Sequence, residues 1–223
     1  KAESRGLGDV YKRQHEAFGD LLSLSVTPNY LEQIGFIDIN QANKANEDPI
    51  GLLMKKALDG VVIVPWAIML DKWRAALFSG KIDESNLNES WWELREKYQG
   101  IAPPIDRPEN FFDPGAKYHI PANTPYTRYF LASIMQYQFH EALCNAINFD
   151  GPLHECSIYD SKKAGERVIS TMALGQSVPW QDAFEKLTGS RELSGKSILN
   201  YYAPLKNWLD EQNQNRTCGW EKS

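Results

Sequence analysis

The stretch TPYTRYFLASIMQYQFHEALCNAI, residues 124–147, decides how the rest of the chain is read. Thr124 offers a side-chain cap, and Pro125 brings the fixed φ that suits a first helical turn. Beyond them, apolar and aromatic residues recur at three- and four-residue spacing to about Ile147, which predicts one long helix. The same period appears on both sides of it. Upstream, a pattern opens at His15 and carries Phe18, Leu21, Leu22 and Leu24 to Val26, ending at Thr27-Pro28. A second runs from Asp48-Pro49 to about Phe78, with a kink expected at Pro65, which lacks a backbone donor. A third, Asn88 to Tyr98, carries Trp91, Trp92 and Arg95 and stops at Gly100 and Pro103-Pro104. Residues Asn110 to Ile120 read as irregular or briefly extended. Downstream, helices are expected from Asp160-Ser161 to about Leu174, from Ser177 and Pro179 to about Leu187, and from Ser194 to about Gln214. The predicted class is all-α, with at most a short extended segment near 115–121. No repeat or linker divides the chain, and residues 1–14, charged and Gly-punctuated, read as a non-native, artefactual segment ahead of one unit at 15–223.

The 223 residues are 42% hydrophobic and 24% charged, with a net charge of −5, which is the balance of a folded domain. That charge gives no support to nucleic-acid binding, which usually needs a basic stripe. The longest apolar run, Val61 to Leu70, is too short to span a bilayer. Of the three cysteines, Cys144 and Cys156 flank a stretch centred on Asp-Gly-Pro, a strong turn. Either they pair there or all three are reduced thiols, and Cys218 is left over in both cases. Asn88-Glu-Ser and Asn215-Arg-Thr are glycosylation sequons.

From the residues alone no catalytic site is complete. There is no H-E-x-x-H, no G-x-S-x-G and no phosphate-cradling glycine loop. Partial constellations remain. Glu16 and Asp20 are i,i+4, so their carboxylates share a side of a helix. They read either as a metal ligand with a supporting acid or as a solvated acidic edge. Lys117 and His119 share a face if their segment is extended, and Tyr126 and Tyr129 share a face of the next helix. Such a group could hold a carboxylate and stabilise an oxyanion, or simply pack a helix start. Trp91 and Arg95, at i,i+4, read as a cation beside an indole.

Ordered blocks from His15 almost to the C-terminus add a further reading. They include His-Glu-Ala-Phe-Gly-Asp at 15–20, Leu-Asp-Lys-Trp-Arg at 70–74 and Trp-Trp-Glu-Leu-Arg-Glu-Lys-Tyr-Gln-Gly at 91–100. Gly-Ala-Lys-Tyr-His-Ile-Pro follows at 115–121, then Pro-Tyr-Thr-Arg-Tyr-Phe at 125–130, Gln-Phe-His-Glu-Ala-Leu-Cys at 138–144 and Gly-Pro-Leu-His-Glu-Cys at 151–156. Together they resemble the C-terminal part of the catalytic domain in the angiotensin-converting enzyme family of zinc peptidyl-dipeptidases.

The resemblance implies a larger two-lobed helical zinc peptidase that releases dipeptides from free peptide C-termini. By it, Glu16 is the third zinc ligand and Asp20 its supporting carboxylate. His119 and Tyr129 stabilise the tetrahedral intermediate, while Lys117 and Tyr126 hold the peptide's C-terminal carboxylate. Asp59 and Trp66 fall near the substrate pocket, and small residues at Gly60 and Ser133 imply an altered side-chain preference. Arg128, and Trp91 with Arg95, correspond to chloride sites. Cys144 and Cys156 correspond to a disulfide, which with the sequons implies a secreted or extracellular protein. The family's H-E-x-x-H helix and its glutamate base have no counterpart in these residues. A zinc site needs at least three protein ligands, so this chain alone is expected to be inactive, needing the N-terminal part of its catalytic domain. Alternatives are a single-residue zinc carboxypeptidase of the same family, which lacks the lysine corresponding to Lys117, or a non-catalytic binding ectodomain.

Overall fold

The computed structural model describes residues 16–217 and Gly219, and within them there are helices and turns but no strand. Residues 1–14, His15 and Cys218 lie outside the described residues. The described residues form two compact units: 16–57 with Leu131–Gln214, and Leu58–Phe130 with 215–217 and Gly219. The divisions at Ala57/Leu58 and Phe130/Leu131 fall inside helices rather than at loops, which is why no linker is visible there in the sequence.

The first unit begins with α1 (16–24), whose Ala17 and Leu21 are fully buried. Thr27-Pro28, expected as a stop, is also a start. The Thr27 hydroxyl accepts from the Tyr30 amide at 3.1 Å and opens α2 (Pro28–Gln33) with proline in its first turn. α3 (Ile39–Asn46) follows, opened by a capping box in which Asp38 and Gln41 bond each other's backbone. Neither helix was expected, because they carry no apolar stripe: α2 buries nothing and α3 only Ala42.

The long pattern from Asp48 to Phe78 is two helices, α4 (Pro49–Gly60) and α5 (Ile63–Phe78). The break at Val61 and Val62 precedes Pro65 and replaces the expected kink. Pro65 is the third residue of α5, where backbone N–H groups have no helical partner to lose. α6 (Leu87–Gln99) ends as expected on Gly100, whose φ of +65° is the left-handed conformation that glycine adopts at least cost. The segment near 115–121 is not extended. A 3₁₀ turn, Asp113–Ala116, runs into consecutive turns through Asn123, and at its C-cap Lys117 has extended φ and ψ.

The pivotal helix, α7, spans Thr127–Ala146. It starts two residues later than expected, and the Thr124 hydroxyl donates back to the Ala122 carbonyl instead of capping. α8 (Lys162–Met172) is capped by Ser161, and α9 (Trp180–Thr188) follows Pro179. The last pattern is also two helices, α10 (Lys196–Tyr201) and α11 (Ala203–Gln212), interrupted at Tyr202. Pro204 cannot donate to Asn200 and crowds that carbonyl, so the helix must restart.

Two clusters make the core of the first unit. Ala17, Leu21, Met135, Phe139, Leu143, Phe184 and Leu187 pack together, and Leu53, Tyr137, Tyr201, Tyr202 and Leu205 form the second group. In the second unit Trp73, Met69, Leu70 and Trp91 are buried, with Trp73 edge-on to Trp91 at 5.8 Å.

Candidate functional site

In the second unit, three elements bring cations and phenols to one place. α5 presents Trp66, the turns after Ala116 present Lys117 and His119, and the entry to α7 presents Tyr126 and Tyr129. His119 Nε2 lies 3.2 Å from the Tyr129 hydroxyl. The imidazole is edge-on to Tyr126 and Tyr129, at 4.8 and 5.4 Å between centroids, and the two phenol rings are 4.6 Å apart. Lys117 Nζ sits 5.0 Å from the Tyr126 ring and 6.0 Å from Trp66. No carboxylate pairs with it among the described residues. Lys117, His119, Tyr126 and Tyr129 do converge, then, but the means differ from the expectation. Turns, not strand alternation, aim Lys117 and His119 at the same rings.

Desolvation holds the His119 imidazole below its usual range, and the charges of Lys117, Arg128 and Arg74 push the same way against a smaller opposing pull from Asp71. It is therefore neutral near pH 7. Neutral imidazole can donate from one nitrogen and accept at the other, and its Nδ1 is buried with no hydrogen-bond partner.

A second cation stands close by. The Arg95 guanidinium lies 4.9 Å from the Trp66 ring centroid and 5.8 Å from Trp92. Its expected neighbour, Trp91, is instead buried in the core, edge-on to Trp66 at 5.6 Å. Arg95 Nε is buried without a hydrogen-bond partner, and desolvation lowers the guanidinium's pKa. Arg128 is half-buried in the first turn of α7, and Asp59 is exposed near the end of α4.

Residues passed over in the sequence hold this arrangement together. Asp71, on α5, accepts the amides of Tyr126 (2.8 Å) and Thr127 (2.5 Å) and the Thr127 hydroxyl, capping α7 from 55 residues upstream. These bonds together outweigh desolvation and hold its carboxyl below the usual range. Its other oxygen pairs with Arg74, which also reaches Asn123. The i,i+3 spacing of Asp71 and Arg74 was the available signal.

The remaining candidates lie elsewhere. Glu16 and Asp20 are exposed on α1, in the first unit. Asp20 is raised above the usual carboxyl range, first by desolvation and then by the charge of Glu16. A cation held by these oxygens would relieve that repulsion, so the pair suits one ligand and one supporting acid of a zinc site. Cys144 and Cys156 are joined in a disulfide. With His140 they form the cluster of potential metal ligands found among the described residues, but bonded sulfurs have no thiolate to offer. His140 Nε2 instead bonds the Leu153 carbonyl at 2.8 Å, across the loop that the disulfide closes. Asn88 is corrected as a glycan acceptor. It is 0% exposed, and its amide nitrogen donates to the Arg107 carbonyl and to Asp113. Asn215 is exposed.

A family model described as "Angiotensin-converting enzyme" matches residues 11–220. The chain is 46% identical over 209 residues to angiotensin-converting enzyme of Mesocricetus auratus, covering 92% of this chain and 16% of that protein. It is 45% identical over 207 residues to angiotensin-converting enzyme of Theromyzon tessulatum, covering 92% and 33%. To the angiotensin-converting enzyme-like protein Ace3 of Mus musculus it is 42% identical over 208 residues, covering 92% and 28%. The chain thus spans a third or less of the length of these relatives.

Proposed function

The chain belongs to the angiotensin-converting enzyme family, and from that premise we propose that it forms the carboxylate-binding and oxyanion-stabilising part of a zinc peptidyl-dipeptidase. The observation that carries the reading is the meeting of His119 and Tyr129 at 3.2 Å beside a lysine whose ammonium faces only aromatic rings. Lys117 Nζ and the Tyr126 hydroxyl donate to the C-terminal carboxylate of a peptide, fixing which bond reaches the reacting centre. Half-buried beside Trp66 and Tyr126, the lysine gains more from such an anion than it would in open water. His119, neutral, donates from Nε2 to the Tyr129 oxygen, so that the phenol proton points at the oxygen where negative charge develops. Preorganised donors of this kind act on the transition state rather than on bound substrate.

Glu16 would hold zinc and Asp20 would support that site, the metal supplying Lewis-acid polarisation of the scissile carbonyl. These 223 residues contain no H-E-x-x-H, so the other ligands and the general base would come from residues outside them, and this stretch alone would not cleave peptide. Arg95 would take chloride. Its buried Nε has no partner, its guanidinium is flanked by Trp66 and Trp92, and a halide would supply the missing counter-charge. Arg128 would hold a second chloride. The disulfide and the exposed sequon at Asn215 favour secretion or an extracellular location.

The test is product analysis with the intact protein and zinc, on a peptide with a blocked N-terminus and a free C-terminus. Release of dipeptides is expected. Release of single amino acids would make it a carboxypeptidase, and no cleavage with zinc bound would leave a non-catalytic homologue.

A further inference from the structure

Among the described residues, Arg74 is the one lysine, arginine or carboxylate residue that is buried, at 8% exposure. Burying a charge is costly unless its donors are satisfied, and here both satisfied donors lead to the candidate site. Nη1 donates to Asp71 Oδ1 at 3.0 Å, and Nη2 donates to Asn123 Oδ1 at 2.9 Å. Its guanidinium also covers the Phe78 ring at 5.6 Å.

The two arms hold different halves of the site. Through Asp71, the first arm reaches the amides of Tyr126 and Thr127, which set the entry of α7 and with it the direction of Tyr129. The second arm holds Asn123, whose φ of +47° is left-handed, a conformation that residues with side chains seldom adopt unless something holds them there. That conformation ends the run of turns that carries His119, where the Asn123 amide bonds Ile120 O at 3.0 Å and the Thr124 amide bonds His119 O at 2.9 Å. One rigid, planar fork therefore ties the backbone around His119 to the backbone before Tyr129. Lysine, with a single point charge, cannot span both acceptors with the same geometry.

We infer that Arg74 is a positioning residue, which sets the contact between His119 and Tyr129 by holding the turn at Asn123 and the Asp71 cap of α7 in fixed relation. The inference rests on the catalytic reading of those two residues for its consequence in turnover, but not for its geometry.

Both can be tested in the intact protein. The first readout is the titration of His119, followed by NMR with ¹³C-labelled histidine and assigned by the signal lost in His119→Gln. In the wild type, Tyr129→Phe should move that midpoint by about 0.5 unit, the worth of one modest hydrogen bond. In an Arg74→Lys background, which keeps the charge, the same change should move it by less than half as much. Asn123→Gly is the second background, in case Arg74→Lys fails to fold. It accepts the left-handed φ without strain and removes the acceptor, so it should lose the coupling as well. Asn123→Asp keeps an acceptor oxygen and should retain it.

The second readout is turnover. Arg74→Lys and Asn123→Gly should each lower kcat by roughly ten- to a hundredfold, with a smaller change in KM, as expected for misplacement of a catalytic group. The inference is overturned if Tyr129→Phe shifts the His119 midpoint equally with and without Arg74, or does not shift it in the wild type. If the wild-type protein cleaves no peptide, the proposed function fails, while the titration still decides the role of Arg74.

Discussion

Both units of this chain surround cations and imidazoles with aromatic rings, but they treat the cations differently. In the first unit, Lys56 donates to the Tyr201 hydroxyl at 3.2 Å, Tyr137 and Tyr202 share a hydrogen bond at 2.8 Å, and His140 is fixed to the Leu153 carbonyl beside a disulfide. In the second, Lys117 and Arg95 meet only ring faces; the imidazoles do not differ in this way, because His119 and His140 each spend Nε2 on a neighbour and leave a buried Nδ1 without a partner. A side chain held by its own neighbours contributes to stability, whereas one given a desolvated place and no counter-charge is prepared for something that arrives later. On this contrast, substitutions in the first unit's Lys56–tyrosine network, at His140 and at the disulfide should cost stability and leave turnover alone, and those at Lys117, Arg95 and the phenols of the second unit should do the reverse.

The sharpest break between the two would come from Tyr129→Phe in the intact protein. Loss of an oxyanion donor should lower kcat by roughly 10²–10³, with the thermal midpoint almost unchanged. Wild-type turnover would remove Tyr129 from the chemistry. Its counterpart in the first unit is the double change Cys144→Ser and Cys156→Ser. The sulfurs close a loop with a sequence separation of 12, so opening it should cost about 3 kcal/mol of stability. Activity measured well below the new unfolding temperature should persist. If turnover fell in step with stability, the division of labour between the units would be wrong.

How much of this was legible in the sequence depends on how far each signal reaches. Local signals carried well: Gly100 stops α6, Ser161 caps α8 and Pro179 precedes α9. Proline was harder, because its effect depends on where the helix begins. Pro65 looked like a mid-helix kink and is an early-turn residue, and Pro204 splits a helix that its pattern joins. Apart from the Cys144–Cys156 pair that the resemblance implied, side-chain partners across space were not legible. The cap of α7 is Asp71, not Thr124, and no local rule reaches across that distance. Arg95 has Trp91 one helical turn before it, yet it lies over Trp92 and Trp66, because Trp91 is drawn into the core with Trp73. A sequon marks a triplet and not a surface, so burial of Asn88 could not be read from it. The resemblance at 115–130 named four residues that the structure brings together, before any geometry tied them to one another. It did so without Arg74, which lay inside a matching block and carried no role there.

Acid should strain the packing of the first unit. Burial lowers the His140 pKa to about 4, opposed only in part by its bond to Leu153. The folded state therefore binds fewer protons than the unfolded chain between the usual imidazole value and about 4. Stability is fully present above that window and is lost as pH falls through it, by an amount on the order of 3 kcal/mol. Denaturant midpoints at pH 7 and pH 4.5 should show the loss, and His140→Gln should diminish it. An equal acid loss in that variant would move the cause elsewhere.

Lys117 sharpens the comparison at its finest grain, because its ammonium resembles that of Lys56 in lacking a carboxylate. Lys56 has a hydroxyl acceptor, and desolvation lowers its pKa. Lys56→Met should therefore leave KM unchanged. Lys117→Ala should raise KM for free-acid peptides by roughly tenfold or more, the worth of one charged hydrogen bond, with a smaller effect on kcat. A peptide whose C-terminus is amidated presents no anion, so the wild type and Lys117→Ala should handle it alike. That second substrate decides between two ways in which the alanine could fail. Loss of packing against Tyr126 and Trp66 would impair both substrates equally, whereas loss of an anion's partner impairs only the one that carries the anion.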